Sequence, residues 1–294
     1  MTAINLSAVF TLDTLILGLI MGGIYALISM GLSIQYGVAK ILNISHGEFI
    51  IVGACMTWSL IQLGISPVLA LIICSPFMLA FGFILHRTLF ERLKKISGSS
   101  AVFESNAMLL AFGMLFIILD SARNIWGSME LGYSFLRTSV TIAGTNFAAN
   151  RIFVFALAVV IATLFYLFLQ KTRLGKSIRA AAQDPVAASL MGIKIKTVMA
   201  ICFGIGAMLA GMAGTLLSMI FSTYTSAGMR YAIIAIIVVV LGGLGSIPGS
   251  LLGGFILGIV GTVVTTIEPS LTLVAFYVII MALLLVRPKG LMGR

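Results

Sequence analysis

Apolar runs of roughly 17–25 residues follow one another along nearly the whole chain, each long enough to cross a bilayer. They fall near 13–36, 48–66, 67–86, 103–122, 151–170, 197–221, 229–246, 249–267 and 269–287. A chain built this way has little choice of architecture, because backbone polar groups in lipid must be satisfied within the segment itself. The expected fold is all-α, a polytopic membrane protein of about 8–10 helices, with some glycine-broken pieces re-entrant. Composition agrees: 61% of the 294 residues are apolar and 9% charged, where a soluble domain has about half and a quarter. No polar stretch is long enough for a second domain, so residues 1–294 are read as one membrane domain.

The basic residues set the expected orientation. Lys40, Arg87, Arg92, Lys94, Lys95, six residues of the 171–196 loop, Arg287, Lys289 and Arg294 fall on one side of the expected spans. Of the 18, Arg123, Arg137, Arg151 and Arg230 remain for the other. The richer side is expected to be cytoplasmic, with the N-terminus outside and the C-terminus inside. Topology thus explains the net charge of +10, and a nucleic-acid partner is not expected. With no Lys or Arg before Lys40, the first span lacks a signal peptide's basic start and is expected to be retained.

The longest polar segment between apolar runs is 171–196, KTRLGKSIRAAAQDPVAASLMGIKIK. Asp184 suits a helix N-cap, Pro185 the first helical position, and Gly192 the left-handed residue that ends a helix. Val186 to Met191 lie between, with Ala187 and Ala188 expected to offer a face for docking. On the other side, 123–150 carries Trp126, Tyr133 and Phe135, suited to an interfacial belt. Thr138 to Ile142 is expected to form a short strand.

None of the eight acidic residues is expected near the centre of a span, where a charge is costly and commonly marks an ion pathway. That argues against a proton-driven carrier. Two breaks stand out instead. In 31–53 the polar group Asn43, Ser45, His46, Gly47 and Glu48 interrupts two apolar runs. It either lines or gates a path, or is a turn in which Asn43 or Ser45 caps the next helix. In 242–261, Gly245, Gly249 and Gly253 are spaced by four, as are Gly254 with Gly258 and, earlier, Gly18 with Gly22. Small residues at that spacing allow close helix packing, and Pro248 would break a continuous helix. The 242–249 break, with Gly245 and Pro248, is a second candidate for the path or a subunit contact.

Several chemistries lack their residues. Gly175–Ser177 resembles the end of a phosphate-binding loop, but Gln170 stands where the first glycine is required. No HExxH, GxSxG or paired mid-span aspartates are present. The two histidines, His46 and His86, have no cysteine placed to complete a metal cluster, and Cys55, Cys74 and Cys202 read as packing residues. No enzyme activity, metal or cofactor is expected in this chain.

GLSIQYGVAKILNISHGEF, GKSIRAAAQDPVAASLMGIKIK, VVLGGLGSIPGSLLGGFILG and the terminal RPKGLMGR together resemble permease subunits of branched-chain (hydrophobic) amino acid ABC importers. The resemblance implies a multi-pass subunit of a bacterial or archaeal inner membrane. Its implied partners are a second permease, two cytoplasmic ATPases and a solute-binding protein. It implies alternating access, with 171–196 docking on an ATPase through Arg179, Asp184, Pro185, Ala187, Ala188 and Gly192. Where the general coupling motif has Glu, this chain has the uncharged Val186. A permease for urea or short amides, and a secondary carrier or channel for a small neutral solute, are the alternative readings.

Overall fold

The computed structural model describes residues 11–136, 138–142 and 145–293; Arg137 and Arg294, counted in the charge division, lie outside these. Twelve helices are numbered here in chain order: α1 Leu12–Ala39, α2 His46–Gln62, α3 Pro67–Leu85, α4 Glu91–Ile96, α5 Ser100–Trp126 and α6 Ala149–Lys171. Then come α7 Arg173–Gln183, α8 Pro185–Leu190, α9 Ile195–Ser218, α10 Gly228–Gly242, α11 Ile247–Ile267 and α12 Thr272–Val286. A π-turn, His86–Phe90, joins α3 to α4 without a break. Among the described residues eight helical stretches are long and apolar enough to cross a membrane, α10 and α12 being counted with the 3-10 turns Thr225–Ala227 and Pro269–Leu271 that lead into them. The 17-residue α2 has no such extension and is shorter than these stretches, although it fills the expected 48–66 span.

Burial sorts the helices into two groups. α1, α2, α9 and α10 are central, with Ile24, Leu27, Phe49, Phe203, Leu209 and Val238 wholly enclosed. α3, α5, α6 and α12 turn large apolar side chains outward, among them Ile72, Leu109, Leu164 and Leu285. Such an exposed apolar surface suits lipid contact, where the outside of a bundle is as apolar as its inside.

The expected glycine pairing is realised between α1 and α11. A methyl group on Gly22 would lie 2.8 Å from the Cα of Phe255, and one on Gly254 would lie 2.5 Å from the Ala26 nitrogen. One on Gly258 would collide with the Gly22 backbone. The two helices therefore meet backbone to backbone along Gly18, Gly22, Gly254 and Gly258.

Pro248 does separate two helices. α10 and α11 form a hairpin whose turn, Gly243–Ser246, holds Gly243 and Gly245 at φ +102° and +80°. A side chain is strained there. The chain end docks on this turn, Leu291 and Met292 donating to the carbonyls of Leu241 and Gly242 at 2.9 and 3.0 Å. On the opposite face β1 Ser139–Ile142 pairs antiparallel with β2 Thr145–Ala148, Val140 opposite Phe147. The strand expected at 138–142 is present, and its partner was not anticipated.

Candidate functional site

The 40–48 break is not a surface turn. α1 ends at Lys40, in the left-handed region at φ 55°. The chain then runs back beside α1 in non-helical form, with Ile41, Asn43 and Ser45 fully enclosed. Non-helical backbone at such depth is tolerated only where protein or water surrounds it. α2 starts where the His46 Nε2–H donates to the carbonyl of Ile28 at 2.9 Å, past the middle of α1. Glu48 is thus deep in the bundle, 1% exposed. Glu48 does lie in the first turn of its helix, the span end where it was expected, but that end is buried in the bundle and not at its surface. The sequence placed Glu48 at an edge because the apolar run begins there, and nothing local revealed that the preceding segment folds inward.

On the other face the chain also turns inward before α10 begins. Gly47 is pressed against the Gly228 carbonyl, and a methyl there would lie 2.7 Å from the Ala232 nitrogen. The Glu48 carboxylate fills the space a side chain at Gly228 would need. It therefore sits in the first turn of α2 and against the first residue of α10. Both helix starts direct partial positive charge at it, which gives a reason for burying a carboxylate with no ion pair among the described residues.

Neither Asn43 nor Ser45 caps α2 with its side chain; the Ser45 hydroxyl donates to Asn43 Oδ1 at 2.6 Å. Unpartnered buried polar atoms include Asn43 Nδ2, His46 Nδ1 and Glu48 Oε2 in the break, and Ser33 Oγ and Gln35 Oε1 on α1. Buried polar atoms left in this way are uncommon and call for a reason. Ser33 and Gln35, two residues apart and therefore on opposite sides of α1, were not singled out from the sequence. The run SIQYG in an otherwise apolar helix was the available signal.

The 171–196 loop holds two helices where one was expected. Thr172 caps α7, accepting from the Gly175 amide at 3.0 Å. Ile178 and Ala181 are buried beneath it, and the spacing of Leu174, Ile178 and Ala181 was the readable sign of an amphipathic helix. Arg179 donates to the carbonyl of Leu169, so it satisfies a free carbonyl in the last turn of α6.

Asp184 is the cap of α8, its Oδ1 accepting from the amides of Val186 and Ala187 at 2.8 and 3.0 Å. Pro185 takes the first helical position. At the far end Gly192 has φ +83°, and its amide donates to Ser189 while that of Ile193 donates to Ala188, at 3.0 and 3.2 Å. These are the paired bonds of a Schellman ending. The expected pinned helix is present. Its outward face is different, because Ala188 is buried while Val186, Leu190 and Met191 are 70%, 84% and 84% exposed.

Gly245 and Pro248, from the second break, line a cavity of about 690 Å3 with Ser33, Gly37 and Arg179. The structure therefore joins the glycine break to the start of the basic loop. Asn43, Ser45, His46 and Glu48 form a separate enclosed group.

From residue 14 to residue 286 the chain matches the family of branched-chain amino acid transport system permease components. The chain belongs to that family. The permease is 30% identical to the high-affinity branched-chain amino acid transport system permease protein BraD of Pseudomonas aeruginosa, over 96% of each chain. It is 30% identical to LivH, the corresponding permease protein of Escherichia coli, over 94% of each. A probable branched-chain amino acid permease protein LivH of Methanocaldococcus jannaschii is 27% identical, over 94% of this permease and 90% of its own length. No solved structure matches.

On the face opposite the basic loop, Tyr133 donates to or accepts from Ser218 Oγ at 3.0 Å. Burial pushes its phenol up to about 12, so it stays neutral at ordinary pH. Trp126 donates to Ser59 Oγ at 2.7 Å. Both belt residues are thus tied to the bundle.

Proposed function

We propose that this permease imports branched-chain or similarly hydrophobic amino acids, powered by ATP hydrolysis in separate subunits. The observation that carries the reading is α8. It is a six-residue helix fixed at both ends, placed in the most basic loop, and presenting three unpaired apolar side chains. Isolated helices of that length do not persist in water. Asp184, Pro185 and Gly192 supply the local definition, and an apolar tip on such a mount fits docking into a cleft of another protein. The partners are two ATPases on this face, a second permease, identical or different, and a solute-binding protein on the opposite face. The basic face is cytoplasmic in this reading, which puts the N-terminus outside and the C-terminus inside.

The substrate class follows from the relatives' names. Co-purification tests the assembly: the permease expressed with candidate ATPases should retain them, and Leu190→Asp should release them while the permease remains folded. Full retention by Leu190→Asp would remove α8 from the docking role.

A further inference from the structure

On the basic face of the bundle, the π-turn His86–Phe90 and α4 border a cavity of about 360 Å3. Its inner wall is aromatic. The rings of His86 and Phe90 stack at 6.1 Å, and Phe90 meets Phe203 at 4.9 Å. His86 is 4% exposed, and its Nδ1 has no partner. Single π-turns within a continuous helix occur often at functional sites. The outer wall is charged, with Lys94, Lys95 and Lys196 against the one carboxylate of Glu91.

These ammonium groups are poorly matched within the chain. Lys94 lies over the Phe103 ring at 5.7 Å and donates to the Met199 sulfur at 3.6 Å, which is a weak acceptor. Among the described residues no carboxylate pairs with Lys94 or Lys95. Lys196 reaches Glu91 only at 3.9 Å, with its side chain 72% exposed, and such a pair contributes little. Lys94 also lines a neighbouring cavity with Lys40, so positive charge faces both sides of α4. Next to Lys95 and Phe103 in the chain, Ile96 and Val102 are 81% and 48% exposed. A free anion gains nothing from such apolar neighbours, whereas an acyl chain does.

We propose that this cavity holds the phosphate of an anionic phospholipid, with Lys94, Lys95 and Lys196 around the headgroup and Ile96 and Val102 beside its acyl chains. Ammonium groups form charge-assisted bonds to phosphate oxygens. Basic pockets between membrane helices on the cytoplasmic side are recurrent headgroup sites, and that is the side assigned to this face above. The bound lipid ties α4 to the start of α9. The site is independent of which solute is transported.

The test measures binding of radiolabelled phosphatidylglycerol, and separately of phosphatidylcholine, to the complete transporter after delipidation in detergent, where membrane orientation plays no part. Phosphatidylglycerol should bind at least about tenfold more tightly, given the contribution of each lysine near an anionic headgroup. Lys94→Gln with Lys95→Gln should remove most of that preference. Arg92→Gln, an equal loss of charge on the other side of α4, should leave it nearly unchanged. If the double variant does not accumulate, the exposed Lys196→Gln takes its place, with a loss on the order of threefold. Equal binding of the two lipids by the parent would overturn the site, as would equal losses in Arg92→Gln and the lysine variants. An unchanged preference in the lysine variants would also overturn it, because another subunit or another surface then meets the lipid. Displacement of phosphatidylglycerol by inorganic phosphate at constant ionic strength would assign the cavity to a soluble anion and overturn the lipid as its occupant.

Discussion

His46 donates from Nε2 to the carbonyl oxygen of Ile28 at 2.9 Å, so the second membrane helix begins beside the middle of the first. Everything distinctive about the interior follows from that contact. It brings Gly47 onto the start of α10, encloses Glu48, and leaves room for α2 to span the remaining depth with only 17 residues. His46→Leu should lower the thermal midpoint of the detergent-solubilised permease, by the equivalent of about 1 kcal/mol for the lost bond. His46→Gln, which keeps a donor, should recover part of the loss. Equal midpoints for parent and His46→Leu would mean that the bond does not hold the re-entrant segment.

The glycine seam gives a sharper contrast. Gly258→Ala forces a methyl group onto the Gly22 backbone, whereas Gly113, in α5, has nothing within 4 Å of an added Cβ. Gly258→Ala should sharply reduce the amount of folded permease in membranes. Gly113→Ala should be neutral or stabilising by up to about 1 kcal/mol, the helix preference of alanine over glycine. Comparable folded amounts for the two variants would contradict backbone contact along α1 and α11.

At α8, Asp184→Ala removes the acceptor of two amides and should cost about 1 kcal/mol of helix definition. Uptake and ATPase retention should fall together, while Asp184→Asn keeps most of both. Gly192→Val forces a β-branched residue to φ +83° and should act in the same direction, more strongly when combined with Asp184→Ala. Normal uptake in the double variant would exclude a coupling role for this helix.

Orientation is checked by labelling single cysteines in a background without the native ones. Ser177→Cys should react only with reagent supplied from the cytoplasm, and Thr145→Cys only from outside. A third site, Ser7, lies outside the described residues and would report on the N-terminus. Labelling of Ser177→Cys from outside in intact cells would reverse the assignment made from the basic residues.

Much of this architecture was legible because membrane spans advertise themselves by length and hydropathy. The caps of α8 were legible because Asp-Pro and a following glycine are local signals. The depth of Glu48 was not. It depends on His46 meeting Ile28, a contact between residues 18 apart that no periodicity encodes. The outward face of α8 was misassigned for a related reason. Ala187 and Ala188 are adjacent in sequence but about 100° apart around a helix, and only packing decides which of them turns inward. The cavity beside Gly245 and Pro248 was out of reach entirely, since it is assembled from several helices.

The most direct test of the account is solute uptake by the reconstituted transporter. Proteoliposomes holding the permease pair and both ATPases, supplied with the binding protein, should accumulate leucine when ATP is present on the ATPase side. They should show no accumulation under a sodium or proton gradient alone. Gradient-driven leucine uptake without ATP would contradict the account and identify a secondary carrier.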